Sequence, residues 1–380
     1  MRIARTLSFY VMRETLLYCT LAFAVLTLVL LTQNFFRRLD ELFLVGMTLA
    51  DVGVVVQSII PVALSYSIPI AFLLGILLAI RRMSADGELL AMRSTGIGPL
   101  HLLIPFLILG VLAASLSAWM LNSVEHEARR DLVQLFKRVA ARGAIIESGK
   151  FRHIGRHLVF VEDRDRDGSL SGVMIYDQGD PNDPGGRPYR IFAARGQFSF
   201  DESTSTIQLD LEDGDIHLDP IDGQPTRYER IRFKEFSYRL DVGHLLGMDF
   251  GPVRPKQMTV EELRAVLVRA EAGDPLRELD QRNPIEYALE IHRRRALPLA
   301  PLLFAGIGVP IALASEHRGR NLGLLLVLVA AFGYYALGAL GEAAARAEWI
   351  APAVAQWLPN STFGILAIAL IRHGRNRIPR

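Results

Sequence analysis

The chain has 380 residues, with 42 Lys and Arg against 40 Asp and Glu, and 51% of it is hydrophobic. A formal charge of +2 is too small for the field that draws a protein to nucleic acid. The one cysteine, Cys19, excludes an intramolecular disulfide.

Residues 15–36, 52–80 and 94–124 contain no Asp, Glu, Lys or Arg, and the pattern returns at 296–315, 321–341 and 349–371. A helix needs about 20 apolar residues to cross the hydrocarbon core, so each stretch predicts a span. The first has a basic lead, but it is too long for a signal-peptide core and ends in Asn34, Phe35, Phe36, Arg37 and Arg38 rather than a small-residue cleavage site. It is expected to stay as span one. The sixth is interrupted by Pro352, Pro359 and Asn360. With the N-terminus inside, the cytoplasmic segments hold Arg2, Arg5, Arg13, Arg81, Arg82, Arg93, Arg318, Arg320, Arg372, Arg375, Arg377 and Arg380. The short outer loops hold only Arg37, Arg38 and Arg346. By the positive-inside rule both termini are cytoplasmic and the central segment is outside, periplasmic in a cell with two membranes.

Span three is expected to continue as a helical stem ending near Gly143. Val124, Ala128, Leu132, Leu135 and Val139 form its apolar stripe, with Glu125, Glu127, Arg129, Arg130 and Asp131 on the other face. The period then changes to two. Residues 157–162, 172–176, 190–194, 206–211 and 230–236 read as strands, separated by turn signals at 167–168, 180–186, 213–214 and 219–223. Short strands so spaced predict an antiparallel sandwich or jelly roll. Thr259-Val260-Glu261-Glu262 has capping-box form and opens a helix to about Ala272. Asn283-Pro284 is an N-cap with Pro at the first helical position, opening a helix that leads into span four. The predicted organisation is spans one to three over 1–124, a periplasmic domain over 125–295 (stem, β-domain, return helices), and spans four to six with a cytoplasmic tail over 296–380.

The connection between spans two and three reads as a capped helix over 84–96. Ser84 can cap, Asp86 and Glu88 suit the first turn, Arg93 suits the last, and Gly96 suits a left-handed stop. Leu89 and Met92 share a face. Such a helix either only joins two spans at the interface or offers apolar knobs and carboxylates to a cytoplasmic partner.

The segment Arg82-Met83-Ser84-x-Asp86-x-Glu88-Leu89-x-Ala91-Met92-Arg93-x-x-Gly96-Ile97, after a start with Arg13-Glu14 and a second span with Pro61 and Pro69, resembles the LptF/LptG permeases of the lipopolysaccharide exporter. So do Glu290-x-His292-Arg293-Arg294-x-x-x-Pro298 and Trp357-Leu358-Pro359-Asn360. The resemblance covers almost the whole chain and is closer to LptF than to LptG. It implies a heterodimer of paralogous permeases with a cytoplasmic LptB-like ATPase dimer and a periplasmic bridge of LptC/LptA-like β jelly rolls. In the family the acidic residue of the coupling helix contacts the ATPase, and Glu88 matches it. Arg82, Asp86, Leu89, Met92, Arg93 and Gly96 complete the coupling segment. Family permeases are thought to line the first span with basic residues that meet lipid A, and Arg37 and Arg38 match. Their other reading is a snorkelling pair balanced by Asp40 and Glu41.

What the sequence lacks agrees. It has no Gly-x-x-x-x-Gly-Lys-Ser/Thr phosphate loop, so ATP use falls to a partner. The spans supply no proton relay of Asp, Glu or His, with His101 at the start of span three read as interfacial. Asp163, Asp165, Asp167 and Gly168 copy the first half of an EF-hand loop, but Met174 stands where the bidentate Glu belongs, so a hairpin turn is expected and no calcium. His153 and His157, with Gly155 between them in a strand pattern, predict no zinc. Arg293, Arg294 and Arg295 read as a solvated or lipid-facing basic cluster. The fold class is therefore a six-span helical membrane protein (3+3) with an inserted antiparallel, jelly-roll-like β-domain. No cofactor or enzymatic activity of its own is expected. The contrasting reading is an inner-membrane scaffold that transports nothing.

Overall fold

The computed structural model describes residues 2–44, 49–141, 148–154, 157–165, 167–179, 187–201, 206–218, 229–241, 254–272, 283–314 and 322–376. The sequence elements expected at 180–186 and 219–223, the stem's end near Gly143, and Arg318, Arg320, Arg377 and Arg380 lie outside them. Two compact units emerge, one of residues 1–34, 57–129 and 254–380, the other of 35–56 and 130–253.

In chain order the helices are α1 (Arg2–Leu44), α2 (Leu49–Ala85), α3 (Glu88–Ser94), α4 (Pro99–Trp119) and α5 (Glu125–Ala141). After the sheet come α6 (Val260–Glu271), α7 (Pro284–Ala296), α8 (Ala300–Ala314), α9 (Leu322–Arg346) and α10 (Pro352–Asn376). Among the described residues, six segments are long and apolar enough to cross a membrane: Thr6–Phe36, Ala50–Ala85, His101–Val139, Pro284–Ala314, Leu322–Arg346 and Pro352–His373. They agree with the six charge-free stretches.

The helical unit is built around α8. Phe304, Ala305 and Ile307 are fully buried, and a Cβ added at Gly308 would lie 2.8 Å from Leu73 of α2. Gly110 of α4 also lies close to α8, its added Cβ falling 3.3 Å from the Leu302 Cα. Lipid tails are as apolar as leucine, so spans associate through close packing, and small residues allow it. A ring cluster closes the other side: Phe304 and Phe363 each meet Tyr334 edge-on, at 5.2 and 5.3 Å between centroids.

Pro359 lies inside α10 without ending it. Having no N–H, it leaves the Ala355 carbonyl without its helical donor. Gly341 of α9 sits against that carbonyl, 2.7 Å from where its Cβ would be. A side chain there would separate the two helices.

The second unit carries a six-stranded antiparallel sheet: β1 (Phe151–Ile154), β2 (His157–Arg164), β3 (Ser169–Asp177), β4 (Tyr189–Asp201), β5 (Thr206–Leu218) and β6 (Glu229–Asp241). The spatial order is the sequence order, a meander. Among the described strands there is thus neither a second sheet nor a Greek-key crossover, because each strand pairs with the neighbour a hairpin places beside it. Register aligns Val159, Ile175, Ile191, Ile216 and Ile231 across five strands. The 167–168 turn forms as expected, with Gly168 at φ 89° and Asp167 Oδ1 accepting from Ser169 N (3.1 Å) and Oγ (2.6 Å). The turn expected at 213–214 does not form. Asp213 at φ 51° lies within the 13-residue β5, where the left-handed residue interrupts the pairing without reversing the chain.

Candidate functional site

Helix α2 runs through Ser84 to Ala85, so Ser84 sits in its last turn and does not cap α3. The break falls at Gly87, whose φ of 74° suits a residue without a Cβ. Glu88 is the first residue of a seven-residue α3, and Asp86 belongs to the turn before it, pairing with Arg82 at 3.3 Å. Gly96, at φ 83°, stops the helix as expected, its N–H donating to Arg93 O at 3.0 Å.

Leu89 is 1% exposed and belongs to the bundle core, with Met92 packed against it. Leu89 and the half-buried Met92 seat α3 on its own chain, and the outward face carries Leu90, Ala91 and Arg93. Glu88 is half-buried, and both its carboxylate oxygens lie 2.8 Å from Tyr10 Oη of α1. Arg82 forms an ion pair with the buried Glu14, also on α1.

A second cluster lies where α5 begins and α7 ends. Between α4 and α5, Met120–Val124 forms a π-helical turn, and Glu125 N–H reaches back five residues to Met120 O. One extra residue in a turn rotates all that follows by about 100°. Glu125, expected on the polar face of the stem, stands three residues before Ala128 and seven before Leu132, on the face they share, and is 2% exposed. The stem's apolar stripe holds, with Ala128, Leu132, Leu135 and Val139 buried.

Glu125 Oε1 accepts from Arg129 Nε (2.9 Å) and Nη2 (2.8 Å) and lies 3.5 Å from Arg293 Nη2. Glu290 takes Arg293 by both oxygens, at 2.8 and 3.0 Å, and Arg294 at 2.8 Å. Arg293 Nη1 also donates to Tyr66 Oη of α2 at 3.4 Å, and Arg294 Nη2 to the carbonyls of Pro255 and Lys256. Arg293 and Arg294 are thus buried in ion pairs rather than solvated. Only Arg295 of the three faces out. Two carboxylates answer three guanidinium groups, and the hydrogen bonds to Tyr66 and the two carbonyls spread the excess charge.

Four residues beyond Arg294, Pro298 sits in a 3-10 turn, Leu297–Leu299, that joins α7 to α8. Asn360 Nδ2 donates to the Ala296 carbonyl at 2.8 Å, and Asn360 Oδ1 accepts from Tyr334 Oη at 2.7 Å. The break in span four is therefore held from spans five and six. The three segments that set this sequence apart are three polar clasps within the helical unit.

A family model described as lipopolysaccharide export system permease LptF/LptG matches residues 9–373. The chain belongs to the LptF/LptG family. None of the curated proteins matches it. The match is common to LptF and LptG and does not separate them.

In this permease, Arg37 and Arg38 fall within the continuous backbone of α1, and their side chains lie outside the described residues. Among the described residues, no group of three or more His, Cys, Asp and Glu could hold a metal ion. His157 belongs to a different cluster at the end of the sheet. Its Nδ1 lies 3.0 Å from Tyr238 Oη and 3.2 Å from Asp177 Oδ2, and Tyr189 Oη donates to the same carboxylate at 2.9 Å. Burial, then the hydroxyl of Tyr189, pushes the Tyr238 phenol well above its ordinary range.

Sequence reasoning missed the buried network, although its signal was present. Glu290 with Arg293 and Arg294 three and four residues on is the spacing at which helical side chains meet. The partner on α5 had a signal too, since Glu125 stands seven residues before Leu132, two turns along the same face.

Proposed function

We propose that this chain is one permease subunit of an ATP-driven exporter that extracts lipopolysaccharide from the inner membrane and passes it outward. The family match over nearly the whole chain carries the reading. A paralogous permease would complete a lateral cavity, with LptF the closer counterpart of this chain. Both termini are cytoplasmic, and residues 125–295 form the periplasmic domain.

An LptB-like ATPase dimer docks on α3, with Glu88 as its acidic contact and Arg93 and Leu90 on the outward face. Arg82 and Asp86 hold the turn before α3, Gly96 ends it, and Leu89 and Met92 seat it. Arg37 and Arg38 meet lipid phosphates at the outer end of span one, for which guanidinium has the right fork geometry. The 13 residues of β6 form one edge of the described sheet, about 43 Å of ladder at about 3.3 Å per residue. Such an edge suits strand addition from an LptC/LptA-like bridge.

The test is purification from cells in mild detergent with identification of bound protein and lipid. The exporter reading expects an ATPase whose binding Glu88→Lys weakens, because Lys sets like charge against a basic groove, together with bound lipopolysaccharide. A partner held only through the β-domain, with no ATPase, supports the scaffold instead. Orientation is tested separately. Cys at the exposed Ala194 of β4 should react with an impermeant thiol reagent once the outer membrane is permeabilised, and Cys at the exposed Ala91 of α3 should not. Reversed labelling overturns the reading.

A further inference from the structure

Glu88 is held by its own chain. Tyr10 and Glu14 lie four residues apart, on one face of α1. Tyr10 shares its hydroxyl between both Glu88 oxygens at 2.8 Å. Glu14, 9% exposed, pairs with Arg82, and Arg82 pairs across the turn with Asp86. Further along the same seam, a Cβ on Gly75 of α2 would lie 2.7 Å from the Cys19 Cα, so the backbones of α1 and α2 are nearly in contact. The rest of α1 is weakly held: Phe9, Leu16, Leu17 and Leu21 are each more than half exposed. In lipid such apolar faces give no net drive to associate, which leaves close packing and polar contacts to set the position of α1.

We propose that the first turns of α1 and the helix α3 move as one body, with Tyr10 and Glu14 as positioning residues that carry motion imposed at Glu88 into span one. This rests on the reading that Glu88 is the ATPase contact. Tyr10 orients Glu88 without competing for it, because an ionised carboxylate has about four acceptor sites and one hydroxyl leaves most of them to a partner guanidinium. Span one, the helix with least of its own chain around it, is then driven directly from the nucleotide-dependent subunit rather than through the bundle core.

The test uses the complete exporter in proteoliposomes containing lipopolysaccharide, and reads ATPase binding, ATP hydrolysis and lipid delivered per ATP. Tyr10→Phe keeps the ring and removes the donor. Binding and hydrolysis should persist, and lipid per ATP should fall about tenfold, the factor for losing one hydrogen bond to a charged acceptor. Pairing Glu14→Arg with Arg82→Glu should recover coupling relative to either single change. Ser8 and Ile97 line one pocket between α1 and the segment after α3. Cys at both, in a Cys19→Ser background and joined by a short bismaleimide, should leave transport running if the two elements move together.

Arrest by that link, unchanged coupling in Tyr10→Phe, or loss of ATPase binding in Tyr10→Phe would each overturn the inference. Glu88→Lys separates the two levels. Normal transport in Glu88→Lys defeats the docking role itself, whereas a defect there beside an unaffected Tyr10→Phe defeats only the one-body inference.

Discussion

Replacing Glu290 with Ala removes the one carboxylate that both Arg293 and Arg294 grip. Glu290 is 4% exposed and accepts from these two guanidinium groups at 2.8, 3.0 and 2.8 Å. Once it is gone, Arg294 keeps only the carbonyls of Pro255 and Lys256, at 3.4 and 3.3 Å. Arg293 keeps Tyr66 and Glu125, at 3.4 and 3.5 Å. All four remaining contacts are long, and both cations stay buried. Removing one partner of a buried ion pair costs about 3–5 kcal/mol, because the charge left behind is uncompensated. The loss should lie in that range, measured by titrating the purified permease from mild detergent into denaturing detergent and following helical circular dichroism. Glu261→Gln, at an exposed position on α6, serves as the control and should change stability by less than about 0.5 kcal/mol. Glu290→Gln should fall between them, keeping one acceptor oxygen and losing the charge. A Glu290→Ala protein within about 1 kcal/mol of the parent would mean that the arginines find water or lipid phosphate instead, and the buried-network argument would fail.

Asn360→Ala should cost about 1–3 kcal/mol in the same titration, since it strands the Tyr334 hydroxyl and the Ala296 carbonyl. Asn360→Asp should recover the Tyr334 bond only. Gly75→Val should separate α1 from α2, because besides the Cys19 sulfur it meets the Cys19 Cα and N, which no rotamer change can move; loss of thiol cross-linking between Cys placed on the two helices reads this out. Acid should loosen the sheet through Asp210. Ser237 Oγ at 2.5 Å and Gln208 Nε2 at 2.8 Å hold its carboxyl below the ordinary range. The folded state then binds fewer protons than the unfolded one in that window. Its stabilisation is present above the unfolded value of about 3.9 and is lost as pH falls through the depressed folded value. Hydrogen exchange of the β5 and β6 amides, corrected for intrinsic rates, should accelerate from pH 5 to pH 3, and less so in Asp210→Asn.

The spans were legible because charge is costly in lipid and its absence over 20 residues has few other causes. The return helices were legible to the residue at their starts, since Thr259 and Asn283 satisfy backbone donors locally. What failed had other causes. Glu125 was placed with the polar residues because it is charged, although helical spacing sets it on the face of Leu132. Asp213-Gly214 is as good a turn signal as Asp167-Gly168, and only the partner strands decide that β5 passes through it. The four-residue β1 is too short to show a period. The segment around α3 stood out by its residue pattern, but which side of α3 faces inward depends on where α2 ends. That end lies at Ala85, and the chain breaks at Gly87 rather than at the capping-competent Ser84.

The exposure of α1 has a thermodynamic consequence. When a buried helix leaves a soluble core, water meets new apolar surface and the heat capacity rises. When α1 moves aside in a bilayer, Leu16, Leu21, Val25 and Leu28, already more than half exposed, exchange one hydrocarbon neighbour for another. Such a movement carries almost no heat-capacity change, so its equilibrium should drift little with temperature. Acyl-chain length and headgroup charge of the surrounding lipid would then be the variables that bias the position of α1.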